Sequence, residues 1–136
     1  MHNAAQPASS EERLLRVAFL AGAIADAAAL LPMLIPRLAG WLWRFHDISG
    51  SYRFAMGYSA SLMSGWTVLL LWACRRPIER RFVAVLTALV IVGLILTEVA
   101  SVWTGTLNAG RLVPTWSLQA LLLGLFAVGY YRSLRM

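Results

Sequence analysis

The chain has 136 residues, 60% of them hydrophobic and 13% charged, with a formal charge of +6. That balance is far from a soluble domain's. The positive charge does not point to nucleic acid: all twelve basic residues are arginines at or near the edges of apolar segments, as in membrane proteins, and none forms a basic stripe interleaved with polar or aromatic residues.

Residues 1–12 are polar, with no basic residue before Arg13, unlike the n-region of a cleaved signal peptide. They read as a disordered cytoplasmic tail. The first apolar stretch, 15–35, opens with Arg13 and Arg16 and closes near Pro32 and Pro36, where proline disfavours a straight helix. The connection 36–53 is the long one, with Trp41, Trp43, Phe45 and Tyr52 spaced among Arg37, Arg44, His46 and Asp47. Aromatic rings with a polar edge settle at headgroup level, so this reads as an external interfacial loop. A short helix would be followed by a flexible Ser49, Gly50, Ser51 link, with a lid over a cavity as the sharper alternative.

The second stretch, 54–74, stops at Arg75, Arg76 and Pro77, followed by Glu79, Arg80 and Arg81. So short a connection implies an antiparallel helical hairpin. The third stretch, 82–103, is rich in Val, Leu and Ile but too long for a strand. After the turn-like 104–110, the fourth runs 112–131, with Pro114 tolerable in its first turn. Each stretch has about the 20 residues a spanning helix needs. The chain therefore reads as one all-α, polytopic membrane domain, an antiparallel four-transmembrane-helix bundle that leaves no room for a separate soluble domain.

Eight arginines (13, 16, 75, 76, 80, 81, 132 and 135) fall on one side of that bundle and four (37, 44, 53 and 111) on the other. The bias places both termini in the cytoplasm, in a cell inner membrane, and argues against dual topology. Cys74 is the only cysteine, which excludes an intramolecular disulfide, a CxxC pair and a thiolate metal cluster. His46 has no partner at metal-ligand spacing. Neither a metal nor a cofactor is implied.

Asp26 lies near the middle of the first span and Glu98 in the outer part of the third, where a charge costs several kcal/mol by insertion scales. Both must face the bundle or water. Asp26 sits among Gly22, Ala23 and Ala29, small residues that let helices approach. Glu98 has Thr97 beside it and Ser101 one turn on. In the second span Arg53, Gly57, Ser61 and Ser64 share a helical face with Tyr58 beside them, and in the fourth Thr115 and Gln119 flank Trp116. By depth, Tyr58, Ser61, Glu98, Ser101, Thr115 and Gln119 fall in the outer half with Asp26 near its floor. The inner half is aliphatic. The pattern predicts a polar pocket opening outward above a tight cytoplasmic plug, not a continuous channel.

The candidate ligand-binding residues are therefore Asp26, Glu98, Arg53, Tyr58, Ser61, Ser101, Gln119 and Trp116. Catalytic residues are not identified. Each acid also has a plainer reading: Asp26 as a protonated or hydrogen-bonded packing residue, Glu98 as a residue hydrated near the interface or a partner of Arg53. The leading function is non-enzymatic binding of a small lipophilic or cationic molecule, or of a partner membrane protein, in the bilayer, with a homo-oligomer or a larger membrane complex left open. Alternatives are a proton-coupled transporter acting as an oligomer, and an acid–base enzyme acting on a lipid with Asp26 and Glu98 as its pair.

The stretch 65–81, reading GWTVLLLWACRRPIERR, resembles the second-to-third-helix hairpin of small, uncharacterised bacterial four-helix membrane proteins. The resemblance implies the same topology and brings no activity or functional residues. At the level of topology alone, four helices with intramembrane acids are also similar to sterol isomerase and sigma-2-receptor-like proteins, with only Asp26 followed by Leu31-Pro32 to align.

Overall fold

The computed structural model describes residues 9–43 and 49–135 and holds, among them, five helices and no strand. These are α1 (Ser10–Leu34), α2 (Pro36–Trp43), α3 (Gly50–Arg75), α4 (Phe82–Trp103) and α5 (Ala109–Ser133). α1, α3, α4 and α5 are each long and apolar enough to cross a membrane, and they overlie the four stretches read from the sequence.

Caps account for where the helices start early. Ser9 Oγ accepts the Glu12 N–H at 3.2 Å, and Glu11 and Glu12 occupy the first turn, where carboxylates complement the positive helix end. α1 thus begins inside the stretch read as tail, whose residues 1–8 lie outside the described ones. Ser49 Oγ accepts the Tyr52 N–H at 3.2 Å, so Ser49, Gly50 and Ser51 open α3 and are not a flexible link. Asn108 Oδ1 accepts the Gly110 N–H at 2.9 Å, which starts α5 at Ala109 and places Pro114 beyond its first turn.

α1 continues through Pro32 and ends at Leu34. Pro36 opens α2, where a missing N–H would have had no partner in any case. α2 is the short helix anticipated in the long connection; Arg44, Phe45, His46 and Asp47 lie outside the described residues. α4 closes at Gly105, whose φ of 73° is the left-handed conformation that ends helices and suits glycine.

α1 is the hub. It packs along α3 on one side and on α5 on the other, and α4 packs on α5. The helices joined by the arginine turn, α3 and α4, barely meet beyond it. The turn's own side chains explain the splay. Arg80 stacks 3.5 Å from the Trp72 ring centroid and donates to the Trp72 carbonyl, while Arg81 Nη1 donates to the Ser133 carbonyl at 2.9 Å. The start of α4 is thereby tied to the end of α5.

The buried apolar cluster draws on the first part of α1 (Leu15, Phe19), the end of α3 (Leu70, Ala73), the first part of α4 (Val83, Ile91) and the last part of α5 (Leu122, Phe126). It therefore occupies the end of the molecule that carries the arginine turn. Gly22 is where three helices touch: a Cβ there would stand 3.0 Å from Phe126 Cζ and 3.3 Å from Leu70 Cδ1. Phe19 and Phe126 meet with ring centroids 5.8 Å apart, and the Cys74 thiol faces the Arg16 carbonyl at 3.7 Å.

Candidate functional site

Beyond that cluster the seam between α4 and α5 turns polar. Gln119 Nε2 donates to Glu98 Oε1 at 3.0 Å. Gln119 keeps only 6% of its surface exposed, and Glu98 is half-buried. The bond uses one oxygen of the carboxylate and only the amide nitrogen. Glu98 Oε2 and Gln119 Oε1 are both covered and accept from no donor. Trp116, on the turn of α5 before Gln119, sets its indole toward Glu98, yet its covered Nε1–H finds no acceptor within hydrogen-bond geometry.

Leaving a buried polar group unpaired costs about 1–3 kcal/mol. Three such atoms on neighbouring side chains make this seam the least satisfied polar region near the packed cluster. Chemically it offers two acceptors, one of them on a carboxyl group, and one donor beside an aromatic face. The combination suits a ligand bearing N–H or O–H donors on an apolar body.

The remaining predicted residues divide by helix face. Ser101 lies one turn beyond Glu98 and is half-buried, but its Oγ donates to the Thr97 carbonyl at 2.8 Å. Its hydroxyl hydrogen is spent within α4, and an acceptor capacity remains. Asp26 continues the buried stripe of Leu15, Phe19 and Gly22 one turn further and is half-buried; its carboxylate has no hydrogen-bond or charge partner among the described residues. On α3, Trp66 lies one turn before Leu70, and its Nε1 is a further covered donor without an acceptor. Nothing in the sequence marks Trp66 as more than a membrane aromatic, because the Leu70 contact that fixes its face belongs to the packing.

Arg53, Tyr58 and Ser61 do not join this group. All three are exposed, Tyr58 at 65%, because α3 turns Ala60, Leu70 and Ala73 inward and carries the Arg53, Gly57, Ser61, Ser64 face outside. A Cβ on Gly57 or Gly65 would meet nothing within 4 Å. Arg53 is not the counter-charge of Glu98: α3 packs on α1, whereas Glu98 sits on α4 and bonds to Gln119. Among the described residues no three His, Cys, Asp or Glu side chains gather as a metal site would require; His46 and Asp47 lie outside them. No protein-family model matches the chain, and no curated protein or solved structure is significantly similar to it.

Proposed function

We propose that the chain is an antiparallel bundle of four transmembrane helices, termini on the cytoplasmic face of a bacterial inner membrane, that binds a small lipophilic or cationic molecule without catalysis. The observation that carries the reading is the Glu98–Gln119 pair, with two covered oxygens that no donor serves. Covered in this way, the two oxygens have no donor within the protein, so a ligand's ammonium or hydroxyl hydrogens are their natural complement. The Trp116 face provides the apolar wall, with cation–π attraction for a charged head.

The antiparallel arrangement is supported by the cross-helix contacts, since Leu15 meets Gly129 while Gly22 meets Phe126 and Leu70. Continued by one or two turns, that register sets Asp26, Trp66, Gln119 and Glu98 at a similar depth, one from each long helix. This layer lies on the outward side of the apolar cluster. The eight-to-four arginine bias gives its orientation. An acid–base pair is less well supported, because Asp26 and Glu98 belong to helices that each pack on α5 rather than on one another. A second reading, docking of a partner membrane helix, is favoured by the open Gly57, Ser61, Gly65 face of α3.

Mass spectrometry of molecules retained by the protein in mild detergent tests the ligand reading. Wild type should carry a discrete small molecule that Glu98→Gln loses. Retention at wild-type occupancy by the variant would remove the seam from the function.

A further inference from the structure

The opposite end of the molecule carries a second feature that the outward layer does not use. On α5, Ala127, Val128, Tyr131, Arg132 and Arg135 line one shallow trough that runs along the helix. One part is apolar, from Ala127 and Val128, and the other bears the Arg132 and Arg135 guanidinium groups and the Tyr131 phenol. At about 1.5 Å per residue the trough is roughly 12 Å long, enough to pass from acyl chain to phosphate at one leaflet surface.

The arginines at this end differ in how far they are already engaged. Arg16 pairs with Glu12 at 2.7 Å and Arg76 with Glu79 at 3.2 Å. Arg80 and Arg81 bond to the Trp72 and Ser133 carbonyls. The Arg132 guanidinium makes no hydrogen bond or ion pair with a described residue; the Glu11 carboxylate influences it only at a distance. Arg135 gives one N–H to the Tyr131 hydroxyl at 3.0 Å, with its guanidinium 4.7 Å from that ring's centroid, and keeps the rest of its five donors. Eight arginines against three carboxylates, Glu11, Glu12 and Glu79, make the whole end an attractor of anions. Guanidinium forks match phosphate oxygens two at a time.

We propose that this trough is a binding site for an anionic phospholipid, its phosphate held between Arg132 and Arg135 and its acyl chain laid along Val128 and Ala127. A soluble anion would leave the apolar half bare, and a neutral zwitterionic lipid would set its own cation against the guanidinium groups. The site depends on the membrane placement proposed above but not on the outward ligand layer, so the two stand or fall separately.

The test is energy transfer from the protein's tryptophans to a fluorescent phosphatidylglycerol or phosphatidylcholine, each at low mole fraction, in phosphatidylcholine nanodiscs holding the full chain. Wild type should enrich the labelled phosphatidylglycerol over the labelled phosphatidylcholine. Arg132→Gln with Arg135→Gln should lower that preference by roughly thirtyfold, on the scale of one near-surface charge interaction per arginine. Arg75→Gln with Arg76→Gln, outside the trough, should keep most of it. Both pairs are exposed, and circular dichroism checks that the variants remain helical. No preference in wild type, an unchanged preference without Arg132 and Arg135, or equal losses in the two double variants would overturn the proposal.

Discussion

Glu98 and Gln119 show how one hydrogen bond can leave a pair incomplete. The Nε2–Oε1 bond leaves an acceptor on each partner unserved, and Glu98→Gln changes this in a definite direction. The new amide can donate to Gln119 Oε1 while its own oxygen still receives Gln119 Nε2. The variant should therefore melt in detergent at or above the wild-type temperature, with a gain of up to about 1 kcal/mol, even as it loses ligand. A marked drop in melting temperature would mean that the carboxylate is structural. Gly22 makes the opposite point at the packed end, where Phe126 and Leu70 leave no room. Gly22→Val should cost about 1–3 kcal/mol by overpacking, whereas Gly124→Ala, with nothing within 4 Å of the added carbon, should fall within about 0.5 kcal/mol of wild type. Thermal denaturation of the two variants side by side measures the contrast.

At the level of helices, the arginine turn has a role beyond ending α3. Arg81→Gln removes the charged donor from the Ser133 carbonyl and should lower stability by about 1–2 kcal/mol, with hydrogen exchange rising first at the end of α5. Exchange that rises uniformly instead would show that Arg81 does not hold that end. The four long helices were legible because about 20 apolar residues between arginines permit little else. Their faces were less so. In a soluble helix the polar stripe points to water, but in lipid both faces of a span are apolar, and small or weakly polar residues are tolerated on either side. Spacing alone puts Arg53, Gly57, Ser61 and Ser64 on one face of α3 and makes Arg53 and Ser61 pocket candidates, yet Ala60, Leu70 and Ala73 share the buried face. Glu98, Gln119 and Trp116 were legible because a carboxylate cannot face hydrocarbon and must find polar company. Their partnership across α4 and α5 was not, since it depends on which helices are neighbours. The turn suggested α3 beside α4, and the packing sets α5 there instead.

Over the whole molecule, apolar packing is concentrated at the arginine end, and unsatisfied polar atoms lie beyond it. α1 joins the two regions, with Phe19 and Gly22 in the packed cluster and Asp26 one turn past it. The ligand proposed for the polar seam would enter from the outer side, above the packed inner end. Thiol labelling with a membrane-impermeant reagent tests that claim most directly. Single cysteines at Ser101, Ser61 and Val90 are placed in a Cys74→Ala background in sealed, right-side-out membranes. Ser101 lies one turn from Glu98 on the seam, Ser61 is exposed on the outer face of α3, and Val90 lies about 16 Å deeper along α4. Ser101→Cys should label from outside, while Ser61→Cys, facing lipid, and Val90→Cys should stay protected. Protection at Ser101→Cys, or its labelling only after the inner face is opened to the reagent, would contradict the outward seam.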